Sequence, residues 1–145
     1  MNIAKHEWII LLLRQTPLDR IRIMKSLFLI WLRSKRNIED YYHFEPYLYG
    51  PCSFRVYSEL RNLLAHGLVT QSPHPVQQWA NYYLTAEGHA QSNEAVKKVN
   101  PDTLELIEST LEEVSHLSFS DLLRRVYNQA PEFAVNSVLK GVVET

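Results

Sequence analysis

A single cysteine, Cys52, stands in a chain of 145 residues, so no internal disulfide can form and a cysteine-rich zinc site is excluded. That scarcity points to a reducing, cytoplasmic setting. Long apolar runs are missing as well. Trp8 to Leu13, which no other run exceeds, falls far short of a membrane span and lacks the small-residue cleavage site of a secretory signal. It reads as part of a core helix, and no membrane partner is expected. No internal repeat and no low-complexity segment is present. A phosphate-binding loop, a nucleophile elbow and a dinucleotide fingerprint are likewise absent, so nothing in the sequence argues for an enzyme. The six histidines are scattered, with no pair at helical ligand spacing, and neither a metal site nor a cofactor is expected.

What is present is an ordinary globular composition, 46% hydrophobic and 21% charged, enough for one domain or a small domain with a helical extension. The net charge of -1 conceals an asymmetry. Residues 1–66 hold ten Lys/Arg against six Asp/Glu, whereas residues 67–145 hold five against ten. The first half is therefore the one suited to face nucleic acid.

Along the chain, residues 4–15 suit a largely buried helix. Thr16-Pro17 reads as an N-cap and first helical position, with Asp19 in the first turn of a helix running to about Lys35. Its apolar face is Ile21, Met24, Leu27, Phe28, Trp31 and Leu32, which leaves the basic residues Arg20, Arg22, Lys25 and Arg33 largely elsewhere on the wheel. An aromatic segment from Tyr41 to Tyr49 is expected to be extended and to pack in the core rather than stack bases. The Tyr49-Gly50-Pro51-Cys52-Ser53 turn leads into a third helix, Phe54 to His66. Val56, Tyr57, Leu60, Leu63 and Leu64 form its buried stripe, Arg55, Ser58, Glu59, Asn62 and His66 lie nearer solvent, and Gly67 ends it. Leu68–Thr70 and Tyr82–Thr85 read as strands on either side of a polar loop, and Thr85 caps a short helix to about Ala90. After a polar connector, Gln91 to Asn100, an acidic helix carries Leu104, Ile107, Leu111 and Val114 at steps of three and four, a seam that wants a partner helix in this chain or in a second copy. Ser118 with Asp121 opens a further helix, and Pro131 a last one that includes Phe133, Val135, Val138 and Leu139.

The passage Leu60-x-x-Leu63-Leu64-x-x-Gly67-Leu68-Val69, followed by Tyr82-Tyr83-Leu84-Thr85-x-x-Gly88, resembles the helix-to-wing region of bacterial winged-helix regulators. The resemblance implies a mainly α (α+β) fold, with a winged helix-turn-helix over residues 1–90 and a C-terminal helical extension over residues 91–145. A narrower likeness rests on three stretches: Arg20-Ile21-x-Ile23-x-Lys25-x-Leu27-Phe28-Leu29, Phe44-x-Pro46-Tyr47-x-Tyr49-Gly50-Pro51-Cys52-Ser53 and Tyr127-x-x-x-Pro131-Glu132-Phe133-Ala134. These are similar to the YwgA-like proteins and the Panacea (SocA-like) antitoxin domain. Met24 stands where those families carry glutamine, and the wing, Gln71 to Asn81, has no Lys or Arg.

Two functions follow as expectations. One is a DNA-binding transcriptional regulator of prokaryotic or phage type. It would be dimeric through Leu104, Ile107, Leu111 and Val114, with the third helix in the major groove. Ser53, Arg55, Ser58, Arg61 and Asn62 would contact DNA from that helix, and Arg20, Arg22 and Lys25 would touch phosphates. The bland counterpart is that Ser53 only caps the helix and the arginines are solvated. The other function is an antitoxin-like or adaptor module that binds and neutralises a partner protein, such as a toxin encoded next door. Cys52 reads as a structural thiol, although a position beside a helix N-terminus can lower a thiol pKa.

Overall fold

A computed structural model describes residues 2–136. The described residues form six α-helices and five short strands: α1 (Lys5–Gln15), β1 (Leu18–Asp19), α2 (Arg20–Arg33), β2 (Glu45–Tyr47), β3 (Gly50–Cys52), α3 (Phe54–Ala65), β4 (Val69–Gln71), β5 (Asn81–Leu84), α4 (Ala86–Val96), α5 (Pro101–Ser115) and α6 (Phe119–Gln129). Single 3-10 turns lie at Gln77–Trp79 and Pro131–Ala134. The protein is thus mainly helical with small antiparallel sheets. One sheet has the order β1-β5-β4, with Leu18 opposite Tyr82 and Val69 opposite Leu84. The other is the β2–β3 hairpin, with Glu45 opposite Cys52.

Helix starts follow local chemistry. Asn100 accepts from the Thr103 N–H at 2.8 Å, Ser118 from Asp121 at 3.1 Å and Thr85 from Gly88 at 3.1 Å. Each side chain satisfies a donor that the first helical turn leaves without a partner. The start of α2 differs from expectation. Thr16 ends α1, Leu18–Asp19 pairs with β5, and Asp19 caps α2 by accepting from the Arg22 N–H at 2.9 Å. Backbone pairing to a strand more than sixty residues away is not visible in a local reading. The helix also stops at Arg33, because Lys35 and Arg36 turn into the left-handed region at φ 60° and 56°. Further along, α4 runs on to Val96, so the connector before α5 shrinks to residues 97–100.

The core is built around α2. Ile23, Met24, Leu27, Phe28, Leu29 and Ile30 are buried nearly all round, because α1, α5, α6 and β3 approach this helix from different sides. All six residues from Trp8 to Leu13 are buried on α1. Ile107, Leu111 and Val114 of α5 pack into the same cluster as residues of α1, α2 and α3, while Leu104 is half-buried. Of the two partners the seam allowed, helices of this chain and not a second copy cover most of it, so Ile107, Leu111 and Val114 do not form an exposed dimer interface. Val138 and Leu139 of the last expected helix lie outside the described residues; the preceding segment forms the 3-10 turn, with Phe133 against Phe28 at 4.7 Å between ring centroids.

Candidate functional site

The site begins at β3, the strand that leads into α3. Gly50 has φ +89°, and a Cβ there would stand 2.8 Å from Cε1 of Tyr127, so both backbone sign and space require glycine. The next carbonyl, of Pro51, accepts from Lys25 Nζ at 3.0 Å, and the Ser53 N–H donates to Met24 Sδ at 3.3 Å. Three sequence segments far apart in the chain thus meet at β3 and position the start of α3.

This junction removes two expected DNA contacts. Lys25 is 2% exposed, inside the core rather than on a basic face. Burial lowers its ammonium to about pKa 8, with only the nearby Cys52 opposing. Ser53 is 5% exposed; it occupies the N-cap position of α3, yet its side chain makes no capping hydrogen bond. Cys52 is buried too. Burial raises its thiol pKa, outweighing both the Lys25 charge and the hydrogen bond with Tyr57, so the helix N-terminus does not activate it.

The arginines divide into two groups. Arg22 donates to Asp19 at 2.6 Å and to the Leu117 carbonyl at 2.8 Å, and Arg55 donates to Glu59 at 2.9 Å. Arg33 binds Glu113, and Arg36 pairs with Glu132. These charges are used inside the fold. Glu59, expected near solvent, is buried with Arg55 folded over it. Arg20 and Arg61, by contrast, have no carboxylate partner among the described residues; Arg61 reaches only the Ser58 hydroxyl, at 3.4 Å. Arg20, from the start of α2, and Arg61 line one flank of α3 with Tyr57, Leu60 and Leu64, whereas exposed Asn62 lies on the other flank with Glu59, Leu63 and His66.

Around the start of the same helix is an exposed apolar patch. Tyr47, Leu48 and Tyr49 at the hairpin tip are 44%, 43% and 38% exposed, and Phe54, the first residue of α3, is 62% exposed. Tyr47 and Phe54 meet edge-to-face with centroids 5.3 Å apart. Beside Phe54 lies a mostly apolar groove of about 390 Å³, walled by Tyr41, Tyr42, Cys52 and Phe54, with His43 and Arg55 at its edge. Tyr41, Tyr42 and Phe44 do pack inward as expected: the Tyr41 hydroxyl donates to the Leu27 carbonyl and the Tyr42 hydroxyl to that of Lys5, each at 2.6 Å. Tyr47 and Tyr49 do not. Sequence reasoning missed Phe54 altogether; a bulky apolar residue directly after the N-cap, off the buried stripe of its helix, was the available signal.

The loop between β4 and β5 is not fully open. Trp79 packs edge-to-face on Phe119 of α6 at 5.2 Å, and Phe119 in turn meets Tyr49 at 5.7 Å. The loop is thereby tied to the hairpin through α6. The chain matches no family model, no curated protein and no solved structure. Its own surfaces carry the functional reading. Among the described residues no cluster of His, Cys, Asp and Glu suits a metal ion, and no helix is long and apolar enough to cross a membrane.

Proposed function

We propose that this protein is an antitoxin-like or adaptor module that docks a partner protein on the N-terminal end of α3, using a winged-helix scaffold. The element order helix–strand–helix–hairpin–helix–strand–loop–strand, with β1 beside β5 and β5 beside β4, supports the winged-helix reading of residues 1–90. The Panacea-like motifs support the antitoxin class, since Lys25, Gly50, Pro51 and Tyr127 form one structural junction beneath the docking face.

The carrying observation is the patch Tyr47, Leu48, Tyr49 and Phe54 with its adjoining groove. Exposed aromatic residues clustered beside a concave surface are the usual anchors of protein interfaces. The surroundings are electrically quiet, because Arg55 is neutralised by Glu59 and His43 contacts Glu45. A polyanion gains little from such a face, whereas a partner presenting an apolar anchor side chain would fill the groove.

The test is co-purification of the tagged chain with the product of the adjacent gene, comparing the native sequence with Leu48→Ser plus Phe54→Ser. Capture that survives high salt in the native chain and is lost in the double variant supports the proposal. Equal capture by both chains sinks it. A second reading, DNA binding through Arg20, Ser58, Arg61 and Asn62, is favoured by Arg20 and Arg61, two of the three arginines without a carboxylate partner among the described residues, the third, Arg14, being bound to Ser92 and Asn93. It predicts retention of a promoter fragment that falls steeply with added salt and is insensitive to Leu48 and Phe54.

A further inference from the structure

Between the start of α2, the flank of α3 and the three-stranded sheet lies a cleft of about 310 Å³. Arg20 and Arg61 enter it from two different helices. Two arginines lining one space with no carboxylate among its walls are unusual in a fold that pairs most of its other arginines with acids, since like charges brought together repel unless an anion joins them. The Arg20 Nε is moreover buried with no hydrogen-bond partner, a state that costs free energy wherever it is left so. Arg20 is held in place by the Tyr57 ring, whose centroid lies 5.8 Å from its guanidinium carbon.

The remaining walls are not those of a generic surface dent. Tyr57, Leu60 and Leu64 give one apolar side, at successive positions along the inner flank of α3. Opposite them the polar groups come from the sheet and the loop: Gln71 donates to the Tyr82 hydroxyl at 3.3 Å, and Gln77 stands at the rim. The Tyr57 hydroxyl is turned inward to Cys52, so this residue offers the cleft its ring face rather than its polar end. Burial pushes that phenol up to about 12, and the side chain remains neutral. The nearest acid at the base of α2, Asp19, is already bound by Arg22. The cleft therefore combines two unpaired planar cations, amide donors and a flat apolar wall.

We propose that this cleft binds a small ligand carrying a phosphoryl group attached to a flat apolar body, with the phosphoryl oxygens on Arg20 and Arg61 and the body along Tyr57, Leu60 and Leu64. Arginine suits this because its planar fork meets two phosphoryl oxygens at once. The cleft volume falls at the lower end of small-molecule sites, which excludes large cofactors. The site is separate from the aromatic docking patch, so it can be occupied whether or not a partner protein is bound there.

Phenyl phosphate is a suitable probe, with phenol plus inorganic phosphate as the divided control and a short DNA duplex as the third arm, each titrated against the full chain by calorimetry. Expected is saturable binding of phenyl phosphate that is weakened at least about tenfold in Arg20→Gln and in Arg61→Gln. Tyr57→Leu should remove the advantage of the ring while leaving inorganic phosphate as weak as before. If Arg20→Gln fails to fold by circular dichroism, exposed Arg61 carries the comparison alone. Three results would overturn the proposal: no saturable binding of phenyl phosphate, equal binding by native chain and variants, or a duplex that needs Arg61 while phenyl phosphate gives no heat.

Discussion

At Lys25, burial of an ammonium group turns into a pH dependence. The folded chain releases this proton near pH 8, the unfolded chain near 10.5, so between those values the unfolded state holds more protons and stability rises with pH. Below pH 8 both states are protonated and the penalty is complete. Lys25→Met lacks the proton in either state. The stability of the native chain relative to Lys25→Met should therefore be lowest below pH 8 and climb by about 3 kcal/mol towards pH 10.5 in urea titrations. A flat difference would mean that Lys25 keeps its ordinary pKa. Burial raises the pKa of Cys52 and of Tyr57, which pulls the other way above pH 9 in both chains; Lys25→Met also removes the charge that lowers the Cys52 pKa, so Cys52 weakens the variant further there and adds to the climb rather than cancelling it. The glycines make a second residue-scale prediction. A Cβ on Gly88 would lie 2.0 Å from the Leu68 carbonyl oxygen, a backbone atom, so Gly88→Ala should cost about 3 kcal/mol or more by urea denaturation. Gly67 has φ +73° but nothing within 4 Å, and Gly67→Ala should cost only about 1 kcal/mol. Equal costs would show that α4 does not sit as close to Leu68 as described.

Among the elements, α5 is the one whose role changed most between sequence and structure. Its apolar spacing is plain in Leu104, Ile107, Leu111 and Val114, but spacing alone does not say which helix covers the face. The answer is α2 together with α1. Leu111→Glu would therefore place a charge in this chain's own core and should unfold it, at about 3–5 kcal/mol by denaturant titration, rather than split a dimer. A folded, lighter particle by light scattering would restore the dimer reading. The outer side of α5 is tied down by Glu113, which accepts from Arg33 at 3.0 Å and from Arg125 at 2.8 Å. Burial pushes the Glu113 carboxyl up, but these two hydrogen bonds and charges outweigh it and hold its pKa below 4.5. A lowered carboxyl pKa stabilises the fold above its unfolded value and loses that contribution as pH falls through the folded one. Glu113→Gln should then show a shallower loss of stability below pH 4.5 than the native chain, and parallel acid curves would contradict the pairing. The burial of Lys25 escapes the helical wheel for the reason that also governs α5. The wheel of α2 shows one broad apolar face, but Ile23, Leu29 and Ile30 fall outside it and are buried as well, because neighbouring helices surround its middle. Helical periodicity reveals burial on one side and is silent when every side is covered.

Viewed as a whole, the molecule spends most of its basic half on itself. The positive balance of residues 1–66 is real in the sequence, yet Arg22, Arg33, Arg36 and Arg55 each meet a carboxylate, and Lys25 is buried. Most helix positions, strands β4 and β5 and the glycine ahead of α3 were legible, because caps, turn residues and apolar spacing are local signals. The exposed patch was not, because Tyr47 and Tyr49 share a run with Tyr41, Tyr42 and Phe44, and only the direction of the β2–β3 hairpin separates the outward members from the inward ones. That patch is where partner and protein are held to meet. A benzophenone amino acid in place of Phe54, irradiated in cells of the native host, reads directly what touches this position. Docking of a partner protein predicts one discrete adduct with a different polypeptide, lost when Leu48 is also changed to Ser. Adducts with DNA alone, with a second copy of this chain, or with nothing at all would contradict it.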